Sequence, residues 1–251
     1  MTPSDDSERR ERWNAPEKVE QFASRDADHR LSRLVETYPQ LIEIDPSRYV
    51  SYLPLCHVAE QMMTNFMGLH TANETYFCAD LAKIKDHLVA ARPNIFFAVP
   101  RVWEKFEAAL TANLLSATGV KAKLMAWARR VELESLRRAV ETGQEVNTFE
   151  RRLANKLVIS KIKSAIGLDE LVGAGSGAAP AAFSTLEFFA SIGVPILEGF
   201  GMTETTGLAT AQPLGMPRFG TVGQALPGVE IRIADDDEIL LRGPNMVPGY
   251  L

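Results

Sequence analysis

The sequence is poor in the features that would tie it to an oxidising compartment, to nucleic acid or to a membrane span. Its 251 residues include two cysteines, Cys56 and Cys78, both in apolar segments and without C-x-x-C spacing, so a reduced compartment and buried thiols are expected. There is no basic excess: 27 Lys and Arg stand against 32 Asp and Glu, and a net charge of -5 gives no reason to expect a nucleic-acid partner. No apolar run approaches the roughly 20 residues of a membrane span, which leaves peripheral association as the membrane contact still open. The start, Met1-Thr2-Pro3-Ser4-Asp5-Asp6, is acidic and polar where a secretory signal would be basic and then apolar, so a cytoplasmic chain is expected.

What is present is ordinary globular material, 46% hydrophobic and 24% charged. Residues 1–30 form a charged leader, with Glu8-Arg9-Arg10-Glu11-Arg12 alternating in sign and few large apolar groups; helix from Pro16 and disorder are both open there. From Leu31 to 219 strand-like and helix-like segments alternate. The runs Tyr49–Leu55, Tyr76-Phe77 and Asn94–Val99 read as strands, Cys56–Leu69 and Ala79–Ala90 as helices, which together predict an α/β fold with a mostly parallel sheet. A helical block is expected over about 101–166, with Leu124, Ala128, Val131 and Val140 on its buried stripe, a capping box at Asn147 and Glu150, and the arginines and glutamates between them on a solvated face. Glu170–Val172 reads as a strand and Pro180 as the first turn of a helix through Ser191. Over 220–251 the pattern changes to a hairpin, Val229–Ile233 and Glu238–Leu241 around Asp235-Asp236-Asp237, the expected start of a β-barrel-like subdomain.

The chemistry concentrates in Leu197-Glu198-Gly199-Phe200-Gly201-Met202-Thr203-Glu204-Thr205-Thr206-Gly207, which follows the short apolar run Val194-Pro195-Ile196. Glycines let backbone N–H groups approach an anion, threonine hydroxyls donate to phosphate oxygens, and one glutamate can hold Mg²⁺, a hard cation that takes oxygen ligands. Gly173-Ala174-Gly175-Ser176-Gly177-Ala178 technically fits the dinucleotide spacing G-x-G-x-x-A, though a plain glycine turn capping a helix explains it better. If both loops follow consecutive strands, they end at one edge of the sheet, where open α/β folds hold ligands.

The Gly199–Glu204 stretch resembles the glycine-aromatic-glycine-x-threonine-glutamate motif of the adenylate-forming (AMP-binding) superfamily. Three further stretches agree with that superfamily in order: Ser51–Glu60 (SYLPLCHVAE), Ala98–Lys105 (AVPRVWEK) and Gly175–Pro180 (GSGAAP). The second is similar to the long-chain fatty acyl-CoA synthetase branch. The resemblance covers about residues 50–251 and implies the central part of the large N-terminal domain of such a synthetase. It implies ATP (leaving AMP), Mg²⁺ and CoA as cofactors and a fatty acid as substrate. The acid attacks the α-phosphate, diphosphate leaves, and CoA displaces AMP from the acyl-adenylate.

By this resemblance Thr203 binds phosphate, Glu204 holds the magnesium and Phe200 stacks on adenine, within a cofactor-binding set of Gly199, Phe200, Gly201 and Thr203. Gly177, Ala178 and Ala179 line the adenine pocket. His57 borders the acyl pocket, and the alternative that it merely caps a helix stays open. Met62, Met63 and Met67 are expected in helical core packing, as are Arg101 and Trp103. The family's Ser/Thr/Gly-rich phosphate loop ending in Pro-Lys has no counterpart in Ser7–Ala27, which contains no glycine, and the C-terminal catalytic lysine has none after Val247–Leu251. The expected function is therefore an incomplete, truncated fatty acid–CoA ligase, inactive alone and needing a complementing polypeptide. The alternative is a non-catalytic binding module that retains part of an acyl or nucleotide pocket. Whether this chain is itself an enzyme stays open.

Overall fold

In the computed structural model, which describes residues 37–249 apart from 42, 116 and 248, the apolar runs form one five-stranded sheet. Arg48–Ser51 (β1), Glu74–Phe77 (β2), Ile95–Phe97 (β3), Gly173–Ser176 (β4) and Ile196–Glu198 (β5) lie in the order β2-β1-β3-β4-β5. All pairings are parallel, the arrangement that strands joined by helical crossovers adopt. The charged leader and the expected start of helix at Leu31 lie outside the described residues.

The register aligns Phe97, Gly175 and Leu197 across three strands. A Cβ on Gly175 would stand 3.1 Å from the Phe97 ring, so β4 is bare where its neighbour is bulky. Below it the core closes on Trp103, which is fully buried, edge-on to Phe96 and Phe189 at 5.3 and 4.8 Å, and donates its Nε1–H to the Gly175 carbonyl at 3.2 Å. Trp103 is thus a packing residue, as expected, whereas Arg101 is exposed and paired with Glu104.

Helices cover the sheet. A continuous helix over 58–71 (α1), wound as a π-helix through Gln61–Met67, links β1 to β2, and Ile84–Ala91 (α2) links β2 to β3. The helical block consists of Pro100–Leu115 (α3), Gly119–Thr142 (α4) and a helix over 149–165 (α5). The buried face of α4 is Ala128, Val131, Glu132, Ser135, Leu136 and Ala139, so Leu124 and Val140 fall off the stripe expected for them. Nor are all the charges solvated: buried Glu132 accepts a two-pronged bond from Arg151, and Arg129 lies 4.8 Å over the Phe188 ring. The cap of α5 is Thr148, whose extended backbone lets Oγ1 accept from Arg151 N–H at 3.1 Å, one residue past the expected Asn147.

Two expected boundaries move for identifiable reasons. The strand expected at Glu170–Val172 starts at Gly173, because Glu170's carbonyl accepts from the Asn94 side chain while Val172 and Gly173 N–H share the Asn94 carbonyl. The helix expected from Pro180 is Phe183–Ser191 (α6), because Ala181 N–H donates to Glu198 Oε1 at 3.1 Å and holds that stretch extended. Helix α6 ends as Gly193 takes φ +75° and Val194 N–H reaches back to Phe189 O at 2.9 Å, turning the chain straight into β5. After β5, Thr210–Ala211 (β6) and Gln224–Ala225 (β7) pair antiparallel, and Glu230–Ile233 (β8) with Ile239–Arg242 (β9) make the expected hairpin. Cys78 is buried but Cys56 is exposed, against the expectation of two buried thiols.

Candidate nucleotide and acyl site

Strands β4 and β5 finish side by side, so the two glycine-bearing loops emerge together at the carboxyl edge of the sheet. Gly199 N–H donates to Ser176 O at 3.0 Å, and a Cβ on Gly177 would lie 3.3 Å from Gly199 O. Ala178, Ala179 and Pro180 are exposed there, Ala178 in the left-handed region at φ 69°. Since Gly173–Ser176 is itself the strand, the dinucleotide reading, which needs its first two glycines in the turn, does not hold; the chain turns at Gly177–Ala179 before α6.

The loop 199–207 is folded tightly by its own glycines. A Cβ on Gly201 would fall 1.6 Å from Gly207 O, and Gly207 sits at φ 104° with Met62 of α1 against it. Of the loop's three threonines, two face inward. Thr205 is wholly buried, its Oγ1 accepting from Met202 N–H at 2.9 Å, and Thr206 Oγ1 donates to Asn245 O at 2.9 Å. Thr203 is exposed and Glu204 half-exposed, on one turn of 3₁₀-helix, Thr203–Thr205. Phe200 is half-buried against the apolar cluster around Met67 and Ala209.

A second layer, not recognised from sequence, holds this loop in place. Asn245 Nδ2 donates to the carbonyls of Thr205 and Leu208 at 3.1 and 3.3 Å, and Val247 N–H to Glu204 O at 2.8 Å. Buried Gln212 accepts from Glu198 N–H and donates to Arg218 O at 2.9 Å, while Tyr38 donates to its backbone carbonyl at 2.6 Å. The available signal was a polar residue inside an apolar run: Glu198 after Pro195-Ile196-Leu197, Gln212 after Ala209-Thr210-Ala211.

His57 lies at the same edge, after β1, and caps α1: its Nδ1 accepts from Ala59 N–H at 3.2 Å. Directly beneath it Glu60 is fully buried, its carboxylate accepting from Leu53 N–H at 3.1 Å, Thr64 Oγ1 at 2.5 Å and, at 3.4 Å, the Tyr49 hydroxyl. Burial raises the nearby Tyr52 hydroxyl to a pKa of about 12, so it stays protonated while accepting from Val99 N–H at 3.2 Å. Met63 and Met67 pack in the second core cluster as expected and also wall a cavity of about 100 Å³ that reaches Gly175, Leu197 and Gly199 beneath the loop.

Taken together, the edge offers a half-buried aromatic ring, an exposed hydroxyl and a carboxylate on one turn, and an apolar cavity below. Among the described residues no helix is long and apolar enough to cross a membrane, and none forms a cluster of three or more metal-binding side chains. A Mg²⁺ ion fits only as one that takes Glu204 and completes its shell with phosphate and water oxygens, its usual manner of binding.

Known structures with this fold are numerous. The fold is shared by apo MatB from Rhodopseudomonas palustris, at 20% identity and TM-score 0.58 over 90% of this chain and 36% of that one. It is shared also by O-succinylbenzoate Coenzyme A synthetase (MenE) from Bacillus subtilis, in complex with ATP and magnesium ion, at 15% identity and TM-score 0.57 over 92% and 39%. In sequence, the chain is 38% identical over 206 residues to fadD11 of Mycobacterium tuberculosis, which carries the provisional name of fatty-acid–CoA ligase. The match covers 81% of this chain and 36% of fadD11. It is 35% identical to the long-chain-fatty-acid–CoA ligase ACSBG2 of Xenopus laevis, over 80% of this chain and 28% of that protein. The chain thus spans about a third of the length of these relatives. Residues 29–251 match the AMP-binding enzyme family, and the chain belongs to it.

Proposed function

We propose that this chain supplies the adenylate-binding centre of a long-chain fatty acid–CoA ligase. The observation that supports it best is that exposed Thr203 and half-exposed Glu204 share a single turn, beside the 177–180 loop and above an apolar cavity. Thr203 donates to the phosphates of ATP, Glu204 holds Mg²⁺, Phe200 offers its ring to adenine and the backbone of Gly177–Ala179 walls the base. A Mg²⁺ ion held by Glu204 would supply positive charge against the phosphate oxygens. The methionine-walled cavity, at about 100 Å³, takes the part of the carbon chain nearest the carboxylate, and His57, fixed through Nδ1, presents its other ring edge toward that carboxylate. Catalysis of this kind is mostly alignment and electrostatics, so the inward hydrogen bonds of Thr205, Asn245 and Gln212 matter by keeping the turn rigid. CoA thiolysis and full adenylation rely on a phosphate loop and a lysine supplied by a longer chain or a complementing polypeptide.

The test is equilibrium binding of AMP and ATP to the 251-residue chain, alongside diphosphate release with ATP, Mg²⁺ and palmitate. Expected are nucleotide binding that weakens about fivefold or more in Phe200→Ala, given the roughly 1–3 kcal/mol of a base stacked on an aromatic ring, and diphosphate release at background. Nucleotide binding indifferent to Phe200→Ala and Thr203→Ala would remove the reading. Palmitate binding without nucleotide binding would favour the alternative of a non-catalytic acyl-binding module.

A further inference from the structure

Away from the sheet edge, the helical block carries a larger cavity of about 510 Å³ between α2, α3, α4 and α5. Its floor is apolar, with Leu114, Met125, Val158 and Ile162 continuing the main core outward toward solvent. Its rim carries Lys85, Lys121 and Lys161, one from each of three helices, all exposed, and no carboxylate is among the lining residues. In a chain of net charge -5, three converging cations around an apolar floor are a local reversal of sign. Among the described residues none of the three lysines forms an ion pair.

We propose that this groove binds a free single-chain anionic amphiphile, its alkyl chain on the Leu114–Ile162 floor and its acidic head among Lys85, Lys121 and Lys161. Charge complementarity selects the head, and an apolar floor with no polar partner to satisfy selects an unsubstituted chain. The cavity falls within the roughly 300–1,000 Å³ of small-molecule sites. The lysines ring a concavity instead of lying along one flat face, which fits a single molecule better than a bilayer surface. Because the lysines are exposed, the head-group contribution is screened by salt. The site is separate from the nucleotide loop, and its occupancy does not depend on the function proposed above.

The experiment uses the full chain and laurate below its micellar concentration, followed by calorimetry, with dodecyltrimethylammonium as the cationic analogue of equal chain length. Laurate is expected to bind, and the ammonium analogue to bind more weakly. The triple variant Lys85→Glu, Lys121→Glu, Lys161→Glu should bind laurate about tenfold less tightly, the scale of three exposed charge contacts reversed, with its unfolding midpoint little changed. A diazirine-bearing laurate should label peptides within 110–125 and 157–166. Laurate binding indifferent to the triple variant would overturn the proposal, as would label confined to the Met63, Met67 and Leu208 walls of the other cavity. Binding to phosphatidylglycerol vesicles with none to monomeric laurate would overturn it equally, in favour of a membrane patch.

Discussion

The two ends of strands β4 and β5 treat polar groups in opposite ways. At the amino end, charges are matched to one another: Arg151 with Glu132 and Glu145, Arg92 with Asp169 and Glu170, and the Asn94 side chain between Arg48 N–H and Glu170 O. At the carboxyl end the loop backbone is satisfied by neutral side chains, Thr205, Thr210, Gln212 and Asn245, with the buried Glu198 carboxylate taking Ala181 N–H as a charged acceptor, and Thr203 is left exposed. One end is fastened by ion pairs, of which Arg151–Glu132 is the buried one, where a broken partner leaves a buried charge, and Arg92–Asp169 a partly solvated one. The other is held mainly by neutral hydrogen bonds in a frame whose exposed face can meet a ligand.

The largest effect should come from filling the frame where backbone meets backbone. Gly201→Ala puts a methyl group 1.6 Å from Gly207 O, a clash that no side-chain rotation relieves. Overpacking of this severity is expected to cost about 3 kcal/mol or more and to reshape the turn carrying Thr203 and Glu204. Chemical denaturation and AMP binding should both register it; a variant with native stability and native AMP binding would show that the loop is not held as described. Next comes the amino end. Arg151→Met leaves the carboxylate of Glu132, 7% exposed, without its two-pronged partner. The expected loss is about 3 kcal/mol, the lower end for a broken buried pair, since Lys163 also faces Glu132. AMP binding should be unchanged, which sets this variant apart from Gly201→Ala.

How much of this was legible in the sequence follows from how local each cause is. Strands β3 and β5 were readable because continuous apolar runs such as Asn94–Val99 have few other places to go, and the shared edge of the two glycine loops followed from their order. The helical block was readable from length and periodicity, but its inward charges were not: Glu132 and Arg151 are nineteen residues apart and look like any solvated pair until α4 and α5 pack. Boundaries failed wherever a distant partner decided them, as Glu198 does for Ala181 and Asn94 does for Val172. At the site, the residues with chemistry stood out by motif, while the residues that hold them, Asn245 above all, act from about 40 positions away and carry no local pattern.

Asn245 therefore gives the third test. Asn245→Ala removes two donors to buried carbonyls, Thr205 O and Leu208 O, without introducing charge. Unsatisfied carbonyls at this depth should cost about 1–3 kcal/mol. Nucleotide binding should weaken along with stability, because the clamp acts on the same turn. Loss of stability with binding intact would mean that the C-terminal segment supports the core and not the site.

The smallest effect belongs to the exposed fastener at the amino end, and its sign is set by pH. The Arg92 guanidinium hydrogen-bonds the Asp169 carboxylate and holds its pKa below the ordinary 3.8. A carboxyl whose folded pKa is depressed binds fewer protons in the folded state than in the unfolded one. Its contribution is therefore fully present above the unfolded value and disappears as pH falls through the lower, folded one. Both side chains are partly solvated and salt screens them, so the contribution is modest even at neutral pH. Arg92→Ala should lower the unfolding midpoint slightly at pH 7, and the gap from the native chain should close as the pH is taken below 3.8. A gap that persists unchanged into that acid range would show that Arg92 stabilises through the packing of its aliphatic stem and not through its charge.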